Sequence, residues 1–305
     1  MRVLIMGSEG FIGHSLVRYF LTKGYDVHGC DLGETPSLNY TYTKVSASFP
    51  EWDPYFSEGK FDYCINAAGS GNVNYSVTHP LVDFEANTLQ TIRILDAIRR
   101  SYPSCCYLFI SSAAVYGNPE TLPITEESRT SPMSPYGYHK LMSELICREY
   151  TDIYSIKTAI VRPFSVYGPG LRKQLFWDVY KKFASGERRL ELFGTGDESR
   201  DYIYIDDLVS AIGLILSNGR GKAEVYNLAS GIETSIRDVM DIFSAALDPR
   251  PGVVFNGMVR KGDPLNWRAD ITKLQSLGFK SGTTLQQGLT THAQWLHKEF
   301  KTHDI

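Results

Sequence analysis

The chain has 305 residues, 43% of them apolar, with 31 basic against 34 acidic side chains for a formal net charge of −3. That length suits one large domain or two modest ones, and balanced charge with no basic run argues against nucleic acid as a partner. No apolar stretch approaches the ~20 residues of a membrane span, and the opening MRVLIMGSEGFIG lacks a small-residue cleavage site, so a cytoplasmic protein with no membrane partner is expected.

In chain order, RVLIM (2–6) is a buried-strand pattern, and IGHSLVRYFLTKG (12–24) follows with helical spacing and a terminal glycine. DVHGCD (26–31) and YCINAA (63–68) read as strands, and Tyr40 and Lys44 fall in a polar loop. LVDFEANTLQTIRILDAIRRS (81–101) reads as a long helix, CYLFISS (106–112) as a strand, SPYGYHKLMSELICREYT (134–151) as a helix and KTAIVRPF (157–164) as a strand. This alternation predicts an α/β fold with a Rossmann-type doubly wound parallel sheet.

After about residue 165 glycine, proline and charge become more frequent, with helices expected at 173–185, 206–217, 235–247 and 285–298. A smaller mixed α/β substrate-binding domain closing over the sheet is expected. The cofactor unit is placed at 1–166, rejoined by about 202–229, and the substrate unit at 167–201 and 230–305. The cysteines, Cys30, Cys64, Cys105, Cys106 and Cys147, are odd in number and contain no Cys-x-x-Cys. Reduced thiols are expected, with no disulfide framework and no metal site.

MGSEGFIGHS spaces Gly7, Gly10 and Gly13 between the first strand and the first helix. The first glycine makes the tight turn, the second lets backbone approach a pyrophosphate, and the third lets the helix pack close to the strand. Phe11 and Ile12 share that turn. Asp31 ends the second strand, 18 residues after Gly13. A carboxylate there accepts both ribose hydroxyls of NAD and repels a 2′-phosphate, so NAD is favoured over NADP.

FISSAAVYG (109–117) puts Ser111 and Ser112 at the end of a parallel strand, where such sheets bind ligands. Tyr136 and Lys140, in SPYGYHK, share a helix face at i and i+4. Tyr19/Lys23 and Tyr40/Lys44 have the same spacing but no serine at a strand end before them. A carbinol that gives up hydride must also lose its O–H proton. Free tyrosine, with a pKa of about 10, is a poor base. A nearby ammonium and an oxidised nicotinamide favour the phenolate, while a serine hydroxyl fixes the substrate oxygen.

With these elements in place, the chain resembles the extended short-chain dehydrogenase/reductases, in the NAD-dependent epimerase/dehydratase family of nucleotide-sugar enzymes. The resemblance also rests on NAAGSGNVNYSVTHP, EANTLQT, SSAAVYGNPETLPITEE, VRPFSVYGPG, GTGDESRDYIYIDDLVSA and RKGDPLNWRAD. It implies Ser112, Tyr136 and Lys140 as the catalytic set, with Ser111 in support. It implies cofactor contacts from Ala67, Ala68, Asn87 and Pro163, beside Phe164, and from Lys140 to the nicotinamide ribose. It places Ser165, Arg200, Arg260 and Asp263 around the nucleotide sugar. It further implies a homodimer formed through helices near 81–100 and 135–150, with Leu89, Ile92, Leu141 and Leu145 as candidate contacts.

Ala113 and Ala114 stand where the 4,6-dehydratases of the family resemble each other in carrying an acid and a base, so elimination is disfavoured. UDP-glucose 4-epimerase-like members share the serine form. The resemblance therefore implies 4-epimerisation of an NDP-hexose through a transient 4-keto sugar, or, as the alternative, an NAD(P)H-dependent reductase of NDP-4-keto-6-deoxysugars. Departures from the family pattern are Ser165 for asparagine, Asn66 for histidine and Gly71 for lysine. The strand near Val45 also lacks the acidic residue that often meets the adenine amine, and Ser46 is a candidate substitute for it. Trp267 aligns with a residue that gates sugar size, where a bulky ring disfavours N-acetylated sugars.

Overall fold

The structure is a computed structural model that describes residues 1–46, 51–258 and 265–303. The first half holds β1 (Arg2–Met6), α1 (Phe11–Thr22), β2 (Asp26–Asp31), β3 (Thr41–Lys44), α2 (Asp53–Gly59), β4 (Tyr63–Asn66), α3 (Val73–Thr78), α4 (Pro80–Phe84), α5 (Gln90–Ser101) and β5 (Cys106–Ile110). It continues with α6 (Pro135–Tyr154), β6 (Thr158–Pro163), β7 (Ser165–Tyr167), α7 (Gln174–Ala184), β8 (Arg189–Leu192) and β9 (Ser199–Tyr204). The rest is α8 (Ile205–Asn218), β10 (Lys222–Leu228), β11 (Glu233–Ser235), α9 (Ile236–Ala245), β12 (Gly252–Phe255), α10 (Thr272–Ser276) and α11 (Leu285–His303).

Seven parallel strands form the main sheet in the order β10-β6-β5-β4-β1-β2-β3. The chain winds one way from β1 to β3 and the other way from β4, so the direction reverses between β1 and β4. That reversal opens a crevice beyond the strand ends. Alternation along the strands loads both faces. Val3, Ile5, Leu108 and Ile110 join α1 and α8 residues in one apolar layer. Leu4, Met6, Tyr107 and Phe109 join α5 and α6 residues in the other. Such runs, apolar at every position after Arg2 in β1 and throughout β5, are why both were readable as buried strands. The smaller part has a mixed sheet, β11-β9-β7, and a parallel pair, β12-β8.

Three expectations change. Residues 41–44, read as polar loop, are the edge strand β3 beside β2; it is short and mostly exposed, so it has no apolar pattern to show. The helix expected at 81–101 is interrupted by a π-helical turn, Glu85–Leu89. The strand expected to reach 112 stops at Ile110, leaving Ser111 and Ser112 beyond the sheet edge. The five cysteines are free thiols, four of them buried. Among the described residues no helix is long and apolar enough to cross a membrane.

Candidate active site

The glycine turn is set by close approach. Gly7 has φ +73°, and a Cβ there would lie 2.8 Å from Ala68 N and 2.9 Å from Ala67 C. A Cβ on Gly13 would lie 1.9 Å from Gly7 O, so any larger residue would push α1 off the turn. Gly10 caps α1 without a side chain, which leaves the first helical amides facing the crevice. At the end of β2, Asp31 accepts hydrogen bonds from Glu9 N (2.9 Å) and Leu32 N (2.7 Å). A carboxylate has about four acceptor sites, so capacity remains for a ribose diol.

Sequence reasoning missed Glu9. Its carboxylate accepts from Ser37 Oγ at 2.6 Å and from Tyr40 Oη at 2.6 Å. Burial works against the charge, but those hydrogen bonds outweigh it and hold the pKa below the ordinary value. Two carboxylates, Asp31 and Glu9, thus stand together beside the glycine turn. Nothing in the turn sequence marks Glu9, because only the fold brings Ser37 and Tyr40 to it.

Ser112, Tyr136 and Lys140 come together on the wall of one cleft of about 930 Å³, which Gly10, Phe11 and Ile12 of the glycine turn, Ala67, Ala68, Pro163, Ser165 and Arg200 also line, while Gly7, Gly13 and Asp31 lie behind that lining. That is near the upper end of small-ligand sites. Ser134 caps α6 by accepting from Gly137 N at 3.2 Å, with Pro135 in the first turn, so the SP dipeptide starts the helix that aims Tyr136. Tyr136 N also donates to Ser76 Oγ at 3.1 Å. Lys140 Nζ donates to Ile110 O at 2.9 Å and lies 5.8 Å from the Tyr136 ring centroid.

The electrostatics differ from expectation. Burial pushes the Tyr136 phenol above its ordinary pKa, a hydrogen bond with Ser112 opposes the rise, and the Asp83 carboxylate adds to it. Burial also pulls Lys140 down to about 8, against the pull of Asp83 and Glu144. In this geometry desolvation dominates, so Tyr136 moves up rather than toward neutrality.

A buried network supports the site. Ser111 Oγ donates to Glu144 Oε1 at 2.6 Å, and Arg162 grips Glu144 through Nε (2.9 Å) and a terminal nitrogen (2.6 Å). Asn66 accepts from Ala68 N and donates to Tyr107 Oη at 2.8 Å, which fixes the 67–71 loop. Asn87, in the π-helical turn, donates to Asp83 O (3.0 Å) and Ser70 O (3.4 Å). Its Oδ1 is buried without a partner and faces Gly69, where a Cβ would be 2.6 Å away. Asn87 therefore stands behind the loop and not among the cleft-lining residues.

On the far wall, Arg200 donates to Ser199 O at 2.8 Å and Leu265 O at 3.2 Å, and lies 5.8 Å from the Trp267 ring centroid. Trp267 Nε1 donates to Gly117 O at 3.1 Å, and its ring meets Phe164 edge-on at 5.7 Å. The ring is thus fixed from three sides. Arg260 and Asp263 lie outside the described residues.

Residues 3–229 match the NAD dependent epimerase/dehydratase family. The chain belongs to that family. UDP-glucose 4-epimerase 2 of Arabidopsis thaliana is 31% identical, over 88% of this chain and 90% of its own. A UDP-glucose 4-epimerase from Thermotoga maritima, solved with UDP-glucose, superposes with a TM-score of 0.90 at 26% identity, covering 98% of this chain and 100% of that one. An NAD dependent NDP-hexosamine 5,6-dehydratase of tunicamycin biosynthesis reaches 0.86 at 27% identity, over 97% and 98%. Likeness spans two reactions, so the residues of the cleft must choose between them. NAD, the family's cofactor, fits those residues: close-packed glycines leave room at the α1 N-terminus, and the Asp31 carboxylate keeps free acceptor capacity.

Proposed function

We propose that this enzyme is a nucleotide-sugar 4-epimerase that interconverts NDP-hexoses through a transient 4-keto sugar. One observation carries the reading. Ser112, Tyr136 and Lys140 converge on the cleft, while the adjacent Ala113 and Ala114 offer neither acid nor base for eliminating water. The relatives named above support UDP as the nucleotide. We assign cofactor contacts to Gly7, Gly10, Phe11, Ile12, Gly13, Asp31, Ala67, Ala68 and Pro163. Ser165, Arg200, Arg260 and Asp263 are assigned to the nucleotide sugar.

When bound, NAD would supply a reversible hydride acceptor for the sugar. Tyr136 Oη takes the proton of the C4 hydroxyl and later gives it back. Ser112 Oγ holds the C4 oxygen by a hydrogen bond. Lys140 supports the phenolate with its charge, and its bond to Ile110 O fixes the ammonium in place. Epimerisation consumes no net reductant, because the sugar loses and regains the same hydride on opposite faces. Asp31 and Glu9 together favour NAD over its 2′-phosphorylated form by like-charge repulsion. The fixed Trp267 ring favours hexoses without an N-acetyl group. Arg200 suits the substrate diphosphate because guanidinium pairs with phosphate through two hydrogen bonds.

The test is to denature freshly purified protein, identify the released nucleotide by mass spectrometry, and follow UDP-glucose and UDP-galactose by NMR. Near-stoichiometric NAD and interconversion are expected, with Tyr136→Phe keeping the NAD and losing turnover. An empty protein that instead consumes NADH or NADPH with a 4-keto sugar nucleotide would replace this reading with a reductase.

A further inference from the structure

Among the described residues that line the cleft, one cation has no work assigned. Residues 168–174 cross from β7 to α7 over its mouth, with left-handed backbone at Gly168 (φ 141°), Gly170 (φ 98°) and the non-glycine Gln174 (φ 68°). Two adjacent cations in this crossing have different fates. Arg172 is committed: Nε donates to Glu299 Oε1 at 2.7 Å, and the guanidinium lies 5.9 Å from the Trp295 ring centroid. Lys173 points the other way. A Cβ built on Gly71 would lie 3.3 Å from Lys173 Nζ.

No hydrogen bond or ion pair engages Lys173 among the described residues. Burial alone pulls its pKa down, with no anion to offset the loss of water. Lys173 is exposed as a residue, with the desolvation confined to its surroundings in the cleft, so a ligand entering from bulk can reach it. Its surroundings say which ligand group it meets. Gly71 ends the loop whose Ala67 and Ala68 backbone crowds Gly7, and a Cβ on Gly170 would lie 3.3 Å from the Phe11 ring at the start of α1. The segment that carries Lys173 therefore runs beside the start of α1, and its ammonium meets the facing loop, all on the lining of one cleft. The turn itself, GSEGFIG, carries no basic residue and includes Glu9. Of the other cations lining the cleft, Lys140 is held by Ile110 O, Lys182 donates to Glu191 O, and Arg200 sits on the far wall with Ser199 and Leu265.

Resting on the NAD-dependent reading above, we propose that Lys173 reaches across the cleft mouth to bind the diphosphate of the dinucleotide, clasping the cofactor from the substrate side of the fold. Backbone amides of the turn hold that diphosphate from below, and Lys173 supplies the countercharge from above. A ligand-binding ammonium on the α7 side also links cofactor retention to the position of the segment that covers the cleft.

The test compares dissociation constants for NAD and, separately, for UDP, by calorimetry on protein stripped of resident nucleotide. Lys173→Ala should weaken NAD binding by about tenfold or more, the scale of a charge-assisted hydrogen bond, and leave UDP binding unchanged. Adding Gly71→Lys to that variant puts an ammonium back at the same spot from the opposite wall, and should recover NAD affinity. Unchanged NAD affinity in Lys173→Ala overturns the proposal, as does a loss of UDP affinity in place of NAD affinity. No recovery in the double variant also overturns it, because the loss is then structural. Wild-type protein that binds no NAD at all would remove the epimerase reading itself, a result distinct from any of these.

Discussion

Lys140 holds a positive charge in a place that resists it. Burial draws its pKa to about 8 while raising that of Tyr136, so burial disfavours both the phenolate and the ammonium that the chemistry needs. The pair titrates together, and its pH profile belongs to both groups. Wild-type kcat/KM should fall as pH rises through about 8, where Lys140 sheds its proton. Lys140→Met should lack that fall. Its acid limb should also move to higher pH, because a phenol without a neighbouring cation ionises less readily. A pH profile of the variant checks both signs, and an acid limb that stays in place would show that Lys140 does not tune Tyr136.

At the scale of elements, legibility followed the strength of local constraint. The glycine turn was readable because three positions between a strand and a helix demand small residues, and the contacts at Gly7 and Gly13 show why. The α6 start was readable because Ser134 and Pro135 are capping chemistry. Lys173 was not, since one charge in a loop has no periodicity, and its neighbour Gly71 is about a hundred residues away. The edge strand β3 and the π-helical turn under Asn87 depend on neighbours that local pattern does not encode. His292 on α11 is another such case. Its ring packs among Tyr167, Phe176, Phe243 and Trp295, with both nitrogens buried and without partners. Burial lowers its pKa from 6.5 to about 4. The unfolded chain thus binds a proton that the folded one refuses, and stability falls as pH drops from about 6.5 toward 4. The full effect is about 3 kcal/mol at about 1.4 kcal/mol per pH unit. His292→Leu should flatten the pH dependence of urea unfolding across that window; an unchanged slope would locate the acid sensitivity elsewhere.

At the scale of the whole molecule, a run of exposed apolar side chains on α6 and its neighbours stands out among the described residues. Tyr138, Met142 and Leu145 lie at i, i+4 and i+7 on α6 and are 51%, 42% and 55% exposed. Val77 on α3 and Leu81 on α4 are 61% and 67% exposed, and both helices pack beside α6. Leu141, expected on this face, packs instead against the core, which turns the next residue of the helix outward. Regular spacing of large apolar side chains on a water-facing helix marks an association surface more than scattered exposure does. We propose that two copies pair through this face, α6 against α6, as an isologous contact. Sedimentation equilibrium should then give twice the chain mass for the wild type. Met142→Asp with Leu145→Asp should give the single-chain mass while still binding NAD, because neither residue lines the cleft. A wild type that sediments as one chain at micromolar concentration would leave the stripe without a partner and remove the dimer from this account.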